Sequence, residues 1–217
     1  MNLFPEEGFV AIPLKDADVR FLRCLDLGRD PAEVLDLLVA QTPWRSETVR
    51  MWDKVYVQPR LIAWYGDEGA SYVYSGKRYE PLPWTPLLAD LKSRVEAATG
   101  ELYNSVLVNW YRDHRDSVAM HADDERELGS TPVIASLSLG DTRTFVMRHK
   151  TDRSLKPKRF ELPSGSLLVM KGPTQRCWMH GVPKQTRPCG ARINLTFRRI
   201  VHGPARLAVP GEGASIA

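Results

Sequence analysis

Apolar and polar positions change rhythm once along this chain, near Ser105. Before that point short alternating runs are mixed with helical stripes. Phe9, Val10 and Ile12 predict a short strand. Two helical segments are expected next. Asp16 or Asp18 caps the first, and Pro31 stands in the first turn of the second, whose apolar stripe is Leu35, Leu38 and Val39. Thr48 to Tyr56 predicts a strand or hairpin arm with Trp52 near its middle. Gln58 to Tyr65 continues as a strand into the turn signal Gly66-Asp67-Glu68-Gly69. Ser71 to Gly76 alternates polar and aromatic residues. A helix from about Thr85 to Ala98 carries Leu87, Leu88, Leu91, Val95 and Ala98 on one side, and Gly100 closes it.

From Ser105 onward the period is two. Val106, Val108 and Trp110 alternate with Leu107, Asn109 and Tyr111, and Val133–Leu139, Thr144–Arg148, Arg159–Leu162, Leu167–Lys171 and Ile193–Ile200 are strand-like between turn residues. Helices first and many short strands after predict an α+β antiparallel sandwich or jelly roll, one sheet buttressed by the N-terminal helices. The expected organisation is one domain over 1–202, with helices and a lid in 1–100 and the strand-rich core in 101–202. The Gly/Pro/Ala-rich 203–217 is expected to be a flexible tail.

Composition narrows the class only slightly. Hydrophobic residues make up 43% and charged residues 26% of the 217, an ordinary globular balance. The net charge of +4 permits an anionic partner without demanding one. Cys24, Cys177 and Cys189 form no CxxC pair and read as reduced thiols. No apolar run approaches the length of a membrane span, and the start MNLFPEEGFV lacks a basic region followed by an apolar core. The expectation is a cytoplasmic monomer with no membrane partner.

Candidate chemistry gathers around Asn109 to Asp123. His121 and Asp123 lie at i and i+2, so on a strand both side chains would point the same way. His180 comes far enough along for several strands to bring the chain back. Two imidazoles and a carboxylate suit a first-row metal such as Fe(II), with positions left open for a co-substrate and oxygen. Alone, an HxD pair is a weak signal and reads as a surface strand pair; the order of HxD, distant His and then Arg on a strand is far more specific. His114, His149 and His202 fit no such pattern. Arg192 and Arg198 are an even number of residues apart, sharing a strand face with Asn194 and Thr196. The guanidinium fork matches a carboxylate, so this face suits a dicarboxylate, although a solvated outer face fits the same alternation.

Asn109, Tyr111, His121, Asp123, His180 and the run Arg192-Ile193-Asn194-Leu195-Thr196-Phe197-Arg198 together resemble the AlkB family of Fe(II)/2-oxoglutarate-dependent nucleic-acid dealkylases, closest in look to its double-strand-DNA-acting members. The resemblance spans roughly residues 50 to 200. It implies a double-stranded β-helix core, Fe(II) on His121, Asp123 and His180, and 2-oxoglutarate and O2 as co-substrates. Asn109, Tyr111, Arg192, Asn194, Thr196 and Arg198 would hold 2-oxoglutarate, with Arg192 and Tyr111 on its distal carboxylate and Asn109 and Arg198 nearer the metal. For the substrate it implies a lid at Tyr72, Tyr74 and Ser75, a second pocket wall at Trp178 and a base reader at Glu125. Asp124 either joins Glu125 or pairs with Arg60, and Met51-Trp52 falls where a duplex-intercalating wedge would be. The implied partner is alkylated DNA, single- or double-stranded, with bases of the 1-methyladenine and 3-methylcytosine type. Arg148, Lys150, Arg153, Lys156, Lys158 and Arg159, against the acid Asp152, form a basic loop suited to phosphate, or simply a solvated hairpin. An oxygenase acting on RNA, protein or a small molecule stays open, as does a non-catalytic binder on a degenerate jelly roll.

Overall fold

Alternation at period two becomes strand after Ser105, and much of the chain before it does the same. The structure, a computed structural model, describes residues 8–51, 54–70, 72–74 and 77–201. In chain order the strands are β1 (Val10–Ile12), β2 (Asp18–Leu22), β3 (Arg45–Met51), β4 (Lys54–Gly66), β5 (Tyr72–Tyr74), β6 (Lys77–Tyr79) and β7 (Ser105–Tyr111). They continue as β8 (Val118–His121), β9 (Ile134–Gly140), β10 (Arg143–His149), β11 (Lys158–Leu162), β12 (Leu167–Lys171), β13 (Trp178–Val182) and β14 (Arg192–Arg198). The helices are α1 (Pro31–Gln41), α2 (Pro86–Thr99) and the single turn α3 (Thr174–Cys177).

One antiparallel sheet has eight strands in the order β1-β2-β12-β9-β14-β7-β4-β3, and a second has four in the order β11-β10-β13-β8. Ile193, Leu195 and Phe197 on one face of β14 pack with Val34 and Leu38 of α1 and Leu88, Leu91 and Val95 of α2. The other core joins Leu168 and Met170 of the large sheet to Phe145, Met147 and Trp178 of the small one. The large sheet is thus covered on both faces, which is why β9 reads as a nearly continuous buried run. Residues that cannot join either apolar layer, Arg192, Asn194, Thr196 and Arg198, face the small sheet. Two facing antiparallel sheets with helices on one outer face make the expected jelly roll. Among the described residues no helix is long and apolar enough to cross a membrane.

Local chemistry explains the helix ends. The Asp30 carboxylate accepts the N–H of Ala32 at 2.7 Å with Pro31 next to it. Thr85 Oγ1 accepts from Leu88 at 3.2 Å, and α2 stops at Gly100, whose φ of 70° is left-handed. In α1 the fully buried side chains are Val34 and Leu38, with Leu35 and Val39 only partly covered.

The expected helix capped by Asp16 or Asp18 does not form. Asp18 begins β2 instead, where Val19 and Phe21 are buried and Arg20 is exposed, and β12 pairs along its whole length. Two aspartates ahead of an apolar residue imitate a cap, but a run of five residues with period two has no helical stripe to bury. The 203–217 tail lies outside the described residues.

Candidate active site

Strand pairing assembles the metal-ligand candidates. β13 lies against β8 with His180 opposite His121, and their ring centroids are 4.4 Å apart. Asp123 is not on the strand as the i, i+2 expectation had it; it lies in the loop two residues beyond. There its backbone N–H donates to Gln175 Oε1 at 3.0 Å. One ligand atom from each of His121, Asp123 and His180 lies within 4.8 Å of the other two.

Hydrogen bonds and burial set the protonation states. His121 Nδ1 lies 2.8 Å from the carbonyl of Ala119, which can only accept, so Nδ1 is the donor nitrogen and the tautomer this favours presents Nε2 to a metal. His180 is buried. Desolvation, the largest cause, pushes its pKa down to about 3 against the pull of Asp123, so it is neutral. Its 3.8 Å contact with Asp123 is therefore no ion pair. Burial works against the charge of Asp123, but the neighbouring Arg198 guanidinium outweighs it and holds the carboxyl below the usual range. Arg198 Nη2 donates to Asp123 Oδ1 at 2.5 Å, while Oδ2 is buried without a hydrogen-bond partner among the described residues. Two imidazoles, that of His180 held neutral by burial, and an unengaged buried carboxylate oxygen fit a divalent first-row metal, because a buried anion oxygen left without a donor is otherwise costly.

Behind the metal cluster runs the polar row of β14. Arg192 is 1% exposed. Its Nη2 donates to Ser138 Oγ at 2.9 Å and its Cζ stands 5.1 Å from the Tyr111 ring centroid, while Nε and Nη1 have no hydrogen-bond partner among the described residues. Burial pushes its pKa down. Asn194 Nδ2 donates to Ser136 Oγ at 2.7 Å and to the Leu137 carbonyl at 3.1 Å, and its Oδ1 accepts from Thr196 at 2.9 Å. Asn109 Oδ1 accepts from Arg60 Nε at 2.8 Å. The row therefore runs from Arg198 beside the metal to an uncompensated guanidinium at Arg192. A buried cation of this kind fits a carboxylate. Ser136 and Ser138 were missed in the sequence, although two serines alternating with leucine on β9 are a polar stripe in an apolar strand. Gln175 was missed too, and nothing about a lone glutamine marks it.

A cleft of about 770 Å³ opens on the metal cluster, lined among others by Arg60, Trp64, His121, Asp123, Glu125 and Arg198. Burial pushes the Glu125 pKa up. Asp124, by contrast, is mostly exposed and pairs with Lys150 at 2.7 Å, so the alternative pairing with Arg60 does not occur. Trp178 is not a wall of this cleft. It is 1% exposed within the inter-sheet core, edge-on to His149, and its Nε1 donates to the Lys15 carbonyl at 2.8 Å. Trp52 and Ser75 lie outside the described residues, and Met51, Tyr72 and Tyr74 are described in backbone only. In the basic loop Arg148, Arg153, Lys156, Lys158 and Arg159 are exposed, Asp152 is taken up by Lys15 at 2.9 Å, and Arg159 also borders the cleft.

Comparison with known proteins agrees with this geometry. The family model described as 2OG-Fe(II) oxygenase superfamily matches residues 29–198. Alpha-ketoglutarate-dependent dioxygenase alkB homolog 3 of Rattus norvegicus is 45% identical over 187 residues, 82% of this chain and 62% of that protein. DNA oxidative demethylase ALKBH2 of Bos taurus is 40% identical over 174 residues, 77% of this chain and 63% of that protein. The chain thus spans a little over three fifths of the length of these relatives. The solved structure of OsALKBH1 superposes with a TM-score of 0.59 at 19% identity, covering 88% of this chain and 100% of that one, a likeness of fold.

Proposed function

The chain belongs to the 2OG-Fe(II) oxygenase superfamily, in its AlkB branch, and from that premise we propose that it repairs N-alkylated bases in DNA by oxidative dealkylation. One observation carries the reading. A His-Asp-His cluster opens on a cleft of about 770 Å³, roomy enough to admit a base, on one side and leads on the other to a buried guanidinium without a counter-charge among the described residues. When bound, Fe(II) with 2-oxoglutarate and O2 supplies oxidation of the N-alkyl carbon, giving the intact base, an aldehyde, succinate and CO2.

The protein's own residues position and exclude. His121, Asp123 and His180 hold the metal, and Arg198 keeps the Asp123 carboxylate ionised and oriented. Arg192 and Tyr111 take the distal carboxylate of 2-oxoglutarate. Asn194, Thr196 and Ser136 brace that strand through their mutual hydrogen bonds, and Asn109 steadies Arg60 at the cleft edge. A base must leave its stack to reach a metal at the back of a cleft. Glu125, whose carboxyl is pushed toward its neutral form, would read the polar edge of a 1-methyladenine or 3-methylcytosine. Tyr72, Tyr74 and Ser75 would form the lid, Met51 and Trp52 the wedge beside a flipped nucleotide in a duplex, and the basic loop would meet phosphates. The free cysteines suit a reducing compartment, and we place a monomeric enzyme in the cytoplasm.

The test is formaldehyde release from a methylated DNA oligonucleotide, single-stranded and duplex, with Fe(II) and 2-oxoglutarate. Release that needs both, and that disappears in His121→Ala, Asp123→Ala and His180→Ala, is expected. Turnover of 2-oxoglutarate with methylated RNA or a protein digest but none with DNA would overturn the substrate reading.

A further inference from the structure

One buried cation has no task in this reading. Arg143, the first residue of β10, is 1% exposed. Its Nη1 donates to the carbonyl of Asp113 at 3.0 Å, and its Nη2 to the carbonyls of Asp116 at 2.9 Å and Pro183 at 2.8 Å. Its Nε has no hydrogen-bond partner among the described residues. Its Cζ stands 5.8 Å from the centroid of the Tyr111 ring, the same ring that Arg192 covers.

None of these partners is a carboxylate. The side chain of Asp116 is occupied by Arg112 at 2.8 and 3.0 Å, leaving only its main-chain carbonyl for Arg143. Two guanidinium charges therefore share one phenol ring, each without an acidic partner among the described residues. Buried charges are expensive unless a counter-charge reaches them, so a fold that keeps two together is built for an anion. The three carbonyl contacts have a second consequence. Tyr111 ends β7, and the turn that follows it is pinned by Arg143 at both Asp113 and Asp116 and tied to the chain leaving β13 at Pro183. The backbone that carries Tyr111 out of β7 is thus held in place by Arg143.

We propose that Arg143 is a positioning residue for the distal carboxylate of the dicarboxylate co-substrate, orienting Tyr111 and adding a second positive charge to that of Arg192. The proposal rests on the reading that this site takes 2-oxoglutarate.

The test is binding rather than turnover. With the full chain and Mn(II) as a redox-silent metal, calorimetry gives the Kd for 2-oxoglutarate and for 2-oxopentanoate, which carries a methyl group in place of the distal carboxylate. The wild-type protein is expected to prefer the dicarboxylate. Arg143→Met should weaken 2-oxoglutarate by about tenfold or more, as for truncating one side of a desolvated charge contact, while changing 2-oxopentanoate by less than about threefold. Arg143→Lys keeps the charge but not the fork, should fall between, and carries the comparison if the Met variant fails to fold. Equal weakening of both keto acids means that Arg143 only supports the fold, and unchanged binding means that it has no part in the site; either overturns the proposal. A wild-type protein without preference for the dicarboxylate would overturn the co-substrate reading itself, and this proposal with it.

Discussion

Gln175 shows how much of a metal site can rest on a residue that offers no ligand. Asp123 lies beyond the end of β8, so no strand fixes it, and its backbone N–H is held by the side chain of Gln175, itself 1% exposed. Gln175→Leu leaves that buried N–H unsatisfied, at a cost of about 1–3 kcal/mol. Displacing a group that orients a ligand typically lowers metal affinity about 10–100-fold. A Mn(II) titration followed by electron paramagnetic resonance should show that loss in the folded variant; unchanged affinity would mean that Arg198 alone positions Asp123. Trp178 is the opposite case, a supposed site residue whose indole belongs to the core. Trp178→Ala should lower stability by about 3–5 kcal/mol in denaturant unfolding, as truncating a large buried aromatic does. At this scale the sequence was legible where chemistry is peculiar to a residue type: two histidines, a carboxylate and paired arginines announce a metal and an anion. Gln175 and Arg143 were not legible, because what makes them matter is which backbone groups reach them. Trp178 was misjudged because spacing from His180 locates a residue along a strand, not what packs against it.

At the scale of elements, the capped helices and the alternating strands of the second half were readable from local patterns alone. The β2 error had a local cause: acidic residues before an apolar one announce a helix start, and only pairing with β12 turns them into strand. β13 was also not foreseen as a strand, since five residues after a single helical turn carry too little pattern. The basic loop between β10 and β11 was readable as a charge run suited to phosphate, with a solvated hairpin as the alternative. The loop's geometry suits phosphate, because its own acid is neutralised by Lys15 and its exposed lysines and arginines have no acidic partner among the described residues. Lys156→Glu with Lys158→Glu should weaken DNA binding to a similar degree whatever the sequence. Each lost phosphate contact should also flatten the dependence of log K on log salt by about one unit. Binding of 2-oxoglutarate should be untouched. A DNA affinity and salt slope equal to those of the wild type would return the loop to an ordinary solvated hairpin.

At the scale of the whole molecule, the two sheets trap a polar row in what would otherwise be a continuous apolar interior, and that row connects stability to ligand binding. Without an anion, Arg192 sits 1% exposed with two nitrogens lacking partners. With one, the same charge gains a bidentate partner in a low-dielectric site. A ligand that binds only the folded state at about 100 times its Kd adds about 2.7 kcal/mol. For a domain of this size that corresponds to a rise in Tm of about 5–11 °C. The wild-type protein with Mn(II) should show such a rise when 2-oxoglutarate is added. Arg192→Met should not. Its Tm without ligand should nevertheless equal or exceed that of the wild type, because replacing an uncompensated buried charge by an apolar side chain of similar length is neutral or stabilising. A variant that melts several degrees lower without ligand would show that the Ser138 bond and the Tyr111 contact make Arg192 a structural support. A variant that keeps the full ligand-dependent rise would remove Arg192 from the co-substrate site and leave the row to another anion.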